Sequence, residues 1–67
     1  MSITLNGKIF NINCPVTIKD LLNSKGISID RVAVEVNYQI ILKQEWDNFL
    51  VNDNDQIEVL QLSLIHI

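Results

Sequence analysis

The sequence predicts a small α+β domain, a sheet of short strands with one helix packed across it. Three observations carry that class. Asn6-Gly7 separates two short segments of alternating apolar residues, and Asn-Gly suits a two-residue hairpin turn whose central residues both need positive φ. Behind Thr17, the residues Ile18, Leu21 and Leu22 fall at i, i+3 and i+4 before a stop at Gly26. That is one face of a short helix between its caps. Val32–Val36 reads Val-Ala-Val-Glu-Val, the period-two alternation of a half-buried strand.

Each element follows in order. Ser2–Leu5 is a strand with Ile3 and Leu5 on one face. Lys8–Asn13 returns with Phe10 and Ile12 inward, which leaves Ile9 on the other face. Cys14-Pro15 ends it, because proline has no N–H for a ladder. Thr17 caps the helix, and Asp20 puts a carboxylate in its first turn, where the dipole favours one. So short a helix is marginal alone and must be held by burial against the sheet. In the third strand Val34 and Val36 face the core, with Ala33 and Glu35 outward. Asn37-Tyr38 turns the chain into a strand over Gln39–Leu42. Gln44–Phe49 is expected to form a single helical turn with Trp46 and Phe49 packing down. Asn52–Asp55 is a polar turn, and Gln56–Gln61 is the last strand with Ile57 and Val59 inward. The expected core is Ile3, Leu5, Ile12, Leu21, Leu22, Val34, Val36, Trp46, Ile57 and Val59.

Sixty-seven residues make one domain, and a chain this short buries only about 60% of its unfolded surface. The net charge of −3 and five scattered basic residues argue against nucleic-acid binding, which needs clustered Lys and Arg. One cysteine, Cys14, precludes an internal disulfide, and no Cys/His spacing suits a metal. Neither a signal segment nor an apolar run long enough to span a bilayer is present, which fits a reduced, cytoplasmic setting.

Candidate chemistry is sparse. Cys14 reads as a structural or surface cysteine rather than a sulfur-handling thiol, since nothing cationic lies near it in sequence to lower its pKa. His66 has no acid or metal partner. Asp53, Asp55 and Glu58 could gather around a cation, but their ordinary reading is a solvated turn and strand exterior. Trp46 reads as a lid on the core.

The stretch Arg31–Gln61, RVAVEVNYQIILKQEWDNFLVNDNDQIEVLQ, joins the opening hairpin and the helix start Thr17-Ile18-Lys19-Asp20-Leu21-Leu22. At these spacings the combination resembles the ThiS family of thiamine-biosynthesis sulfur carriers. The resemblance covers Met1 to about Gln61. It implies a β-grasp (ubiquitin-like) fold, a mixed sheet of four or five strands with the first and last parallel at its centre. It also implies a protein co-substrate rather than an enzyme, with no cofactor of its own. The implied partners are an E1-like adenylyltransferase that activates a C-terminal glycine, a sulfur donor enzyme that makes the thiocarboxylate, and thiazole synthase. Carriers of this shape present the sheet to their enzymes, so Ala33, Glu35 and Leu60 are the expected partner-binding residues. Two alternatives stay open: a carrier like the small subunit of molybdopterin synthase, and a β-grasp binding module without conjugation chemistry.

The sequence departs from the family pattern at Tyr38, where a small or polar residue is common, at Leu42-Lys43 in place of Pro-Arg, and at Asn54 in place of Gly. Asn tolerates the left-handed region, so the last change is mild. The larger departure is Leu62-Ser63-Leu64-Ile65-His66-Ile67 where the family ends in Gly-Gly. Those six residues are what CTG TCT CTT ATA CAC ATC encodes, the end of a transposase-type sequencing adapter. The domain is therefore expected over 1–61, with 62–67 an atypical tail without packing of its own. It reads either as translated adapter or as the end of a frameshifted or degenerate gene.

Overall fold

The computed structural model describes Met1–Gln61; the expectations for the tail and for His66 lie outside the described residues. The strands are β1 (Ser2–Leu5), β2 (Lys8–Asn11), β3 (Val32–Val36), β4 (Gln39–Ile41) and β5 (Gln56–Gln61). The helix is α1 (Ile18–Ser24), and short 3₁₀ turns cover Ile29–Arg31 and Lys43–Glu45. The sheet order is β2-β1-β5-β3-β4, with β1 parallel to β5 and the other neighbours antiparallel. This is the predicted β-grasp: a five-stranded mixed sheet with its first and last strands paired at the centre and one helix crossing over.

Local chemistry sets the elements as the sequence implies. Asn6 and Gly7 have φ of 50° and 82°, and Asn37 and Tyr38 have 52° and 70°, the doubled left-handed geometry of the tightest hairpins. Thr17 Oγ1 accepts the Asp20 N–H at 3.1 Å. At the other end, Gly26 at φ 71° lets its own N–H reach the Asn23 carbonyl and the Ile27 N–H reach that of Leu22. That pair of bonds satisfies carbonyls the helix end would otherwise orphan.

Ile3, Leu5, Leu21, Leu22, Val34, Val36, Trp46 and Ile57 are buried, as expected. Ile12 and Val59 are corrections, being only partly buried against that core. Ile12 lies past the last registered β1–β2 pair, and Val59 lies where the hairpin has already turned away from β5. Ile18, Ile41 and Val51 complete the core. Val51 carries no strand-like alternation. It is buried because its N–H donates to the Val16 carbonyl while Ile18 donates to Phe49, fastening the segment beneath the helix start.

Three boundaries differ from expectation. β2 ends at Asn11 rather than Asn13, because β1 has nothing beyond Ser2 to register with; only Met1 continues the pairing, through mutual bonds with Ile12. β4 stops at Ile41. The helical turn is the 3₁₀ segment Lys43–Glu45 rather than Gln44–Phe49, with Trp46 as its C-cap. The Trp46 indole is buried all the same, and its N–H donates to the Ile41 carbonyl at 3.0 Å.

Candidate functional site

Helix α1 packs on one face of the sheet, burying Ile18, Leu21 and Leu22 against it. Side chains alternate along each strand, so the register assigns the other face. There β2 contributes Ile9, β1 Thr4, β5 Gln56, Glu58 and Leu60, β3 Ala33 and Glu35, and β4 Ile40. Ile9 is 73% exposed, Ile40 63% and Leu60 48%. Ile9 and Ile40 sit on the two edge strands and Leu60 between them on β5, so one face of the sheet exposes apolar side chains across its width.

The three residues expected from the sequence lie together on this face. Ala33 is the cross-strand partner of Leu60, and Glu35 stands beside them on β3. Sequence reasoning missed two of their neighbours. Glu35 is flanked by Ile40 on β4 and by Glu58 on β5. The signal was available in part, because alternation along Gln56–Gln61 places Glu58 and Leu60 on one side.

The carboxylates Asp53, Asp55 and Glu58 do not gather around a common point. Asp53 Oδ1 accepts the Ser2 N–H at 2.8 Å. Asp55 is 9% exposed, which corrects the solvated reading. Its Oδ1 accepts from Asn37 Nδ2 at 3.0 Å and its Oδ2 from the Asn52 N–H at 2.8 Å. Glu58 is turned onto the open face instead. Among the described residues no group of three or more His, Cys, Asp or Glu is placed to hold a metal ion. Cys14 is exposed.

On the helix side, a cleft of about 420 Å³ is lined by Lys19, Ile29, Lys43, Gln44, Trp46 and Asp47. Both lysines are engaged in ion pairs, Lys19 with Asp47 at 3.4 Å and Lys43 with Asp30 at 3.7 Å. No nucleophile and base meet there. Among the described residues, the open sheet face with Ile9, Ile40 and Leu60 is the main exposed apolar surface of the body. Among the described residues no helix is long and apolar enough to cross a membrane.

The ThiS family profile matches residues 3–62. A protein of Pyropia yezoensis named uncharacterized protein ycf40 is 34% identical over 62 residues, covering 92% of this chain and 87% of that protein. A thiazole synthase of Paramagnetospirillum magneticum is 33% identical over 60 residues, 90% of this chain but 18% of that protein. Among solved structures, the crystal structure of the thiamine biosynthesis protein ThiS from Geobacter metallireducens aligns at a TM-score of 0.85 with 25% identity. That alignment covers 98% of this chain and 100% of that one.

Proposed function

This chain belongs to the ThiS family, and from that premise we propose that it is a sulfur-carrier protein serving thiazole formation in thiamine biosynthesis. The observation that carries the reading is the family match across the described body, from the first strand through the last. The protein acts as a co-substrate. An E1-like adenylyltransferase adenylylates the C-terminal carboxylate of such a carrier, a sulfur donor enzyme converts it to a thiocarboxylate, and thiazole synthase takes the sulfur. The setting is the cytoplasm.

The carrier reading implies a division of labour, which the shared open face of Ala33, Glu35 and Leu60 supports. Residues 1–61 supply the docking body, and Ala33, Glu35 and Leu60 on the open face meet the enzymes. In such a carrier the reacting carboxylate is that of a C-terminal glycine. Glycine suits that end because a backbone without side chains can enter a narrow channel and approach its partner closely. A β-branched side chain, stiff at χ1, would obstruct such a channel.

The thiazole branch is favoured over molybdopterin by the relative named thiazole synthase, in which a segment like this chain is part of the same polypeptide. Covalent linkage raises the effective concentration of two bodies that must meet. Genetic complementation tests the assignment. Residues 1–61, extended by a short apolar link and Gly-Gly, should restore thiamine-independent growth to a bacterial strain lacking its own thiamine sulfur carrier. Restoration of molybdopterin synthesis instead would overturn it.

A further inference from the structure

Glu35 and Glu58 are direct cross-strand partners on the open face. The Val59 N–H donates toward Asn6 on the β1 side. Successive residues of a strand direct their backbone groups to opposite sides, so those of Glu58 point toward β3. The pair Glu35–Glu58 is therefore a hydrogen-bonded one, with Cα atoms about 5.5 Å apart. Like charges directly opposite destabilise a sheet, and among the described residues no ion pair relieves these two. Among the described residues the ion pairs are Lys19–Asp47 and Lys43–Asp30. The five basic residues Lys8, Lys19, Lys25, Arg31 and Lys43 all lie elsewhere. Lys8 shares the helix-side register of Leu5, Lys19 belongs to α1 and Lys25 to its C-cap, and Arg31 and Lys43 belong to the 3₁₀ turns. Among the described residues the open face thus carries two carboxylates and no cation, set among the exposed side chains of Ile40 and Leu60.

We propose that Glu35 and Glu58 together form a receptor for one basic side chain of the activating adenylyltransferase, an arginine, and that this contact fixes the orientation of the carrier on that enzyme. The proposal rests on the carrier reading above and adds Glu58 as a specificity-determining residue. Arginine fits better than lysine because its planar fork of five N–H donors can address two carboxylates at once. The apolar neighbours exclude water around the contact and strengthen it. Repulsion that costs the free protein stability is relieved only on binding, so the pair favours the complex twice over.

The experiment compares wild type with Glu35→Gln, Glu58→Gln, the double variant, and Asp30→Asn as an equal charge change away from the face. Thermal melting of the free proteins and affinity for the adenylyltransferase are both measured. Each single face variant should melt about 1–5 °C higher than wild type yet bind roughly tenfold or more weakly. The double variant should lose less than the product of the two single losses, because both carboxylates serve one cation. Asp30→Asn should bind within about twofold of wild type. Face variants that bind as Asp30→Asn does would overturn the receptor, as would fully multiplicative losses. A wild type that shows no affinity for any activating adenylyltransferase would overturn the carrier reading itself, and this inference with it.

Discussion

Asn37 and Asp55, 18 residues apart, are joined by a hydrogen bond of 3.0 Å from Asn37 Nδ2 to Asp55 Oδ1. The same Asn37 accepts the Gln56 N–H through its Oδ1, and Asp55 holds the Asn52 N–H through its second oxygen. The Asp55 carbonyl accepts from Thr4. One residue pair therefore ties the β3–β4 turn to the start of β5 and to β1.

Asp55→Asn should not behave as a mild isostere. An amide supplies one acceptor where two donors converge, so its NH₂ would face either Asn37 Nδ2 or the Asn52 N–H. Flipping Asn37 would forfeit its bond from Gln56. Both Asp55→Asn and Asp55→Ala should lose about 1–3 kcal/mol, the cost of a buried polar group left without its partner. Urea denaturation measures this, and an unchanged midpoint for Asp55→Asn would show that the turn does not depend on the second oxygen.

Tyr38 is a bulky residue at φ 70° with 82% of its surface exposed. It bears left-handed strain without packing in return. Leaving that strain recovers roughly 1–2 kcal/mol, against up to ~1 kcal/mol for the extra freedom of glycine in the unfolded chain. Tyr38→Gly should therefore raise stability by about 0.5 kcal/mol. Tyr38→Val should lower it, because a β-branched side chain tolerates this conformation worst. Thermal melts of the two variants should fall on opposite sides of wild type.

The two faces of the sheet should answer differently to mutation. Val34 is fully buried between Ile41 and Val59 in register, so Val34→Ala should cost about 1–3 kcal/mol. Leu60→Ser, on the open face, should change stability by no more than about 0.5 kcal/mol. A large loss at Leu60 in the isolated protein would mean that the open face is covered in solution.

The sequence made most of this fold legible through caps, turn residues and alternation. Asn6-Gly7, Thr17, Gly26 and Val32–Val36 each took the structure their chemistry favours. Connectivity of the sheet was legible only through family resemblance, because alternation names a face but not a neighbour. What escaped depends on tertiary register. Val51 is core because of a bridge to the segment before the helix. Asp55 is buried because two side-chain and backbone donors converge on it. Glu58 belongs with Glu35 rather than with Asp53 because β5 lies beside β3. Of the open face, Ala33, Glu35 and Leu60 could be named in advance, while Ile40 and the second carboxylate required the strand order.

Intact-mass spectrometry shows whether this body can carry sulfur on a glycine end. Residues 1–61 with a short apolar link and Gly-Gly would be incubated with a thiamine-pathway adenylyltransferase, ATP and a sulfur donor enzyme, beside the chain ending in Ile67. The Gly-Gly protein should gain the mass of a thiocarboxylate, and the Ile67 protein should not. A Gly-Gly protein that stays unmodified with the thiamine-pathway enzyme would contradict the account. Modification by a molybdopterin-pathway enzyme alone would move the carrier to that branch, and modification by neither would leave a binding module.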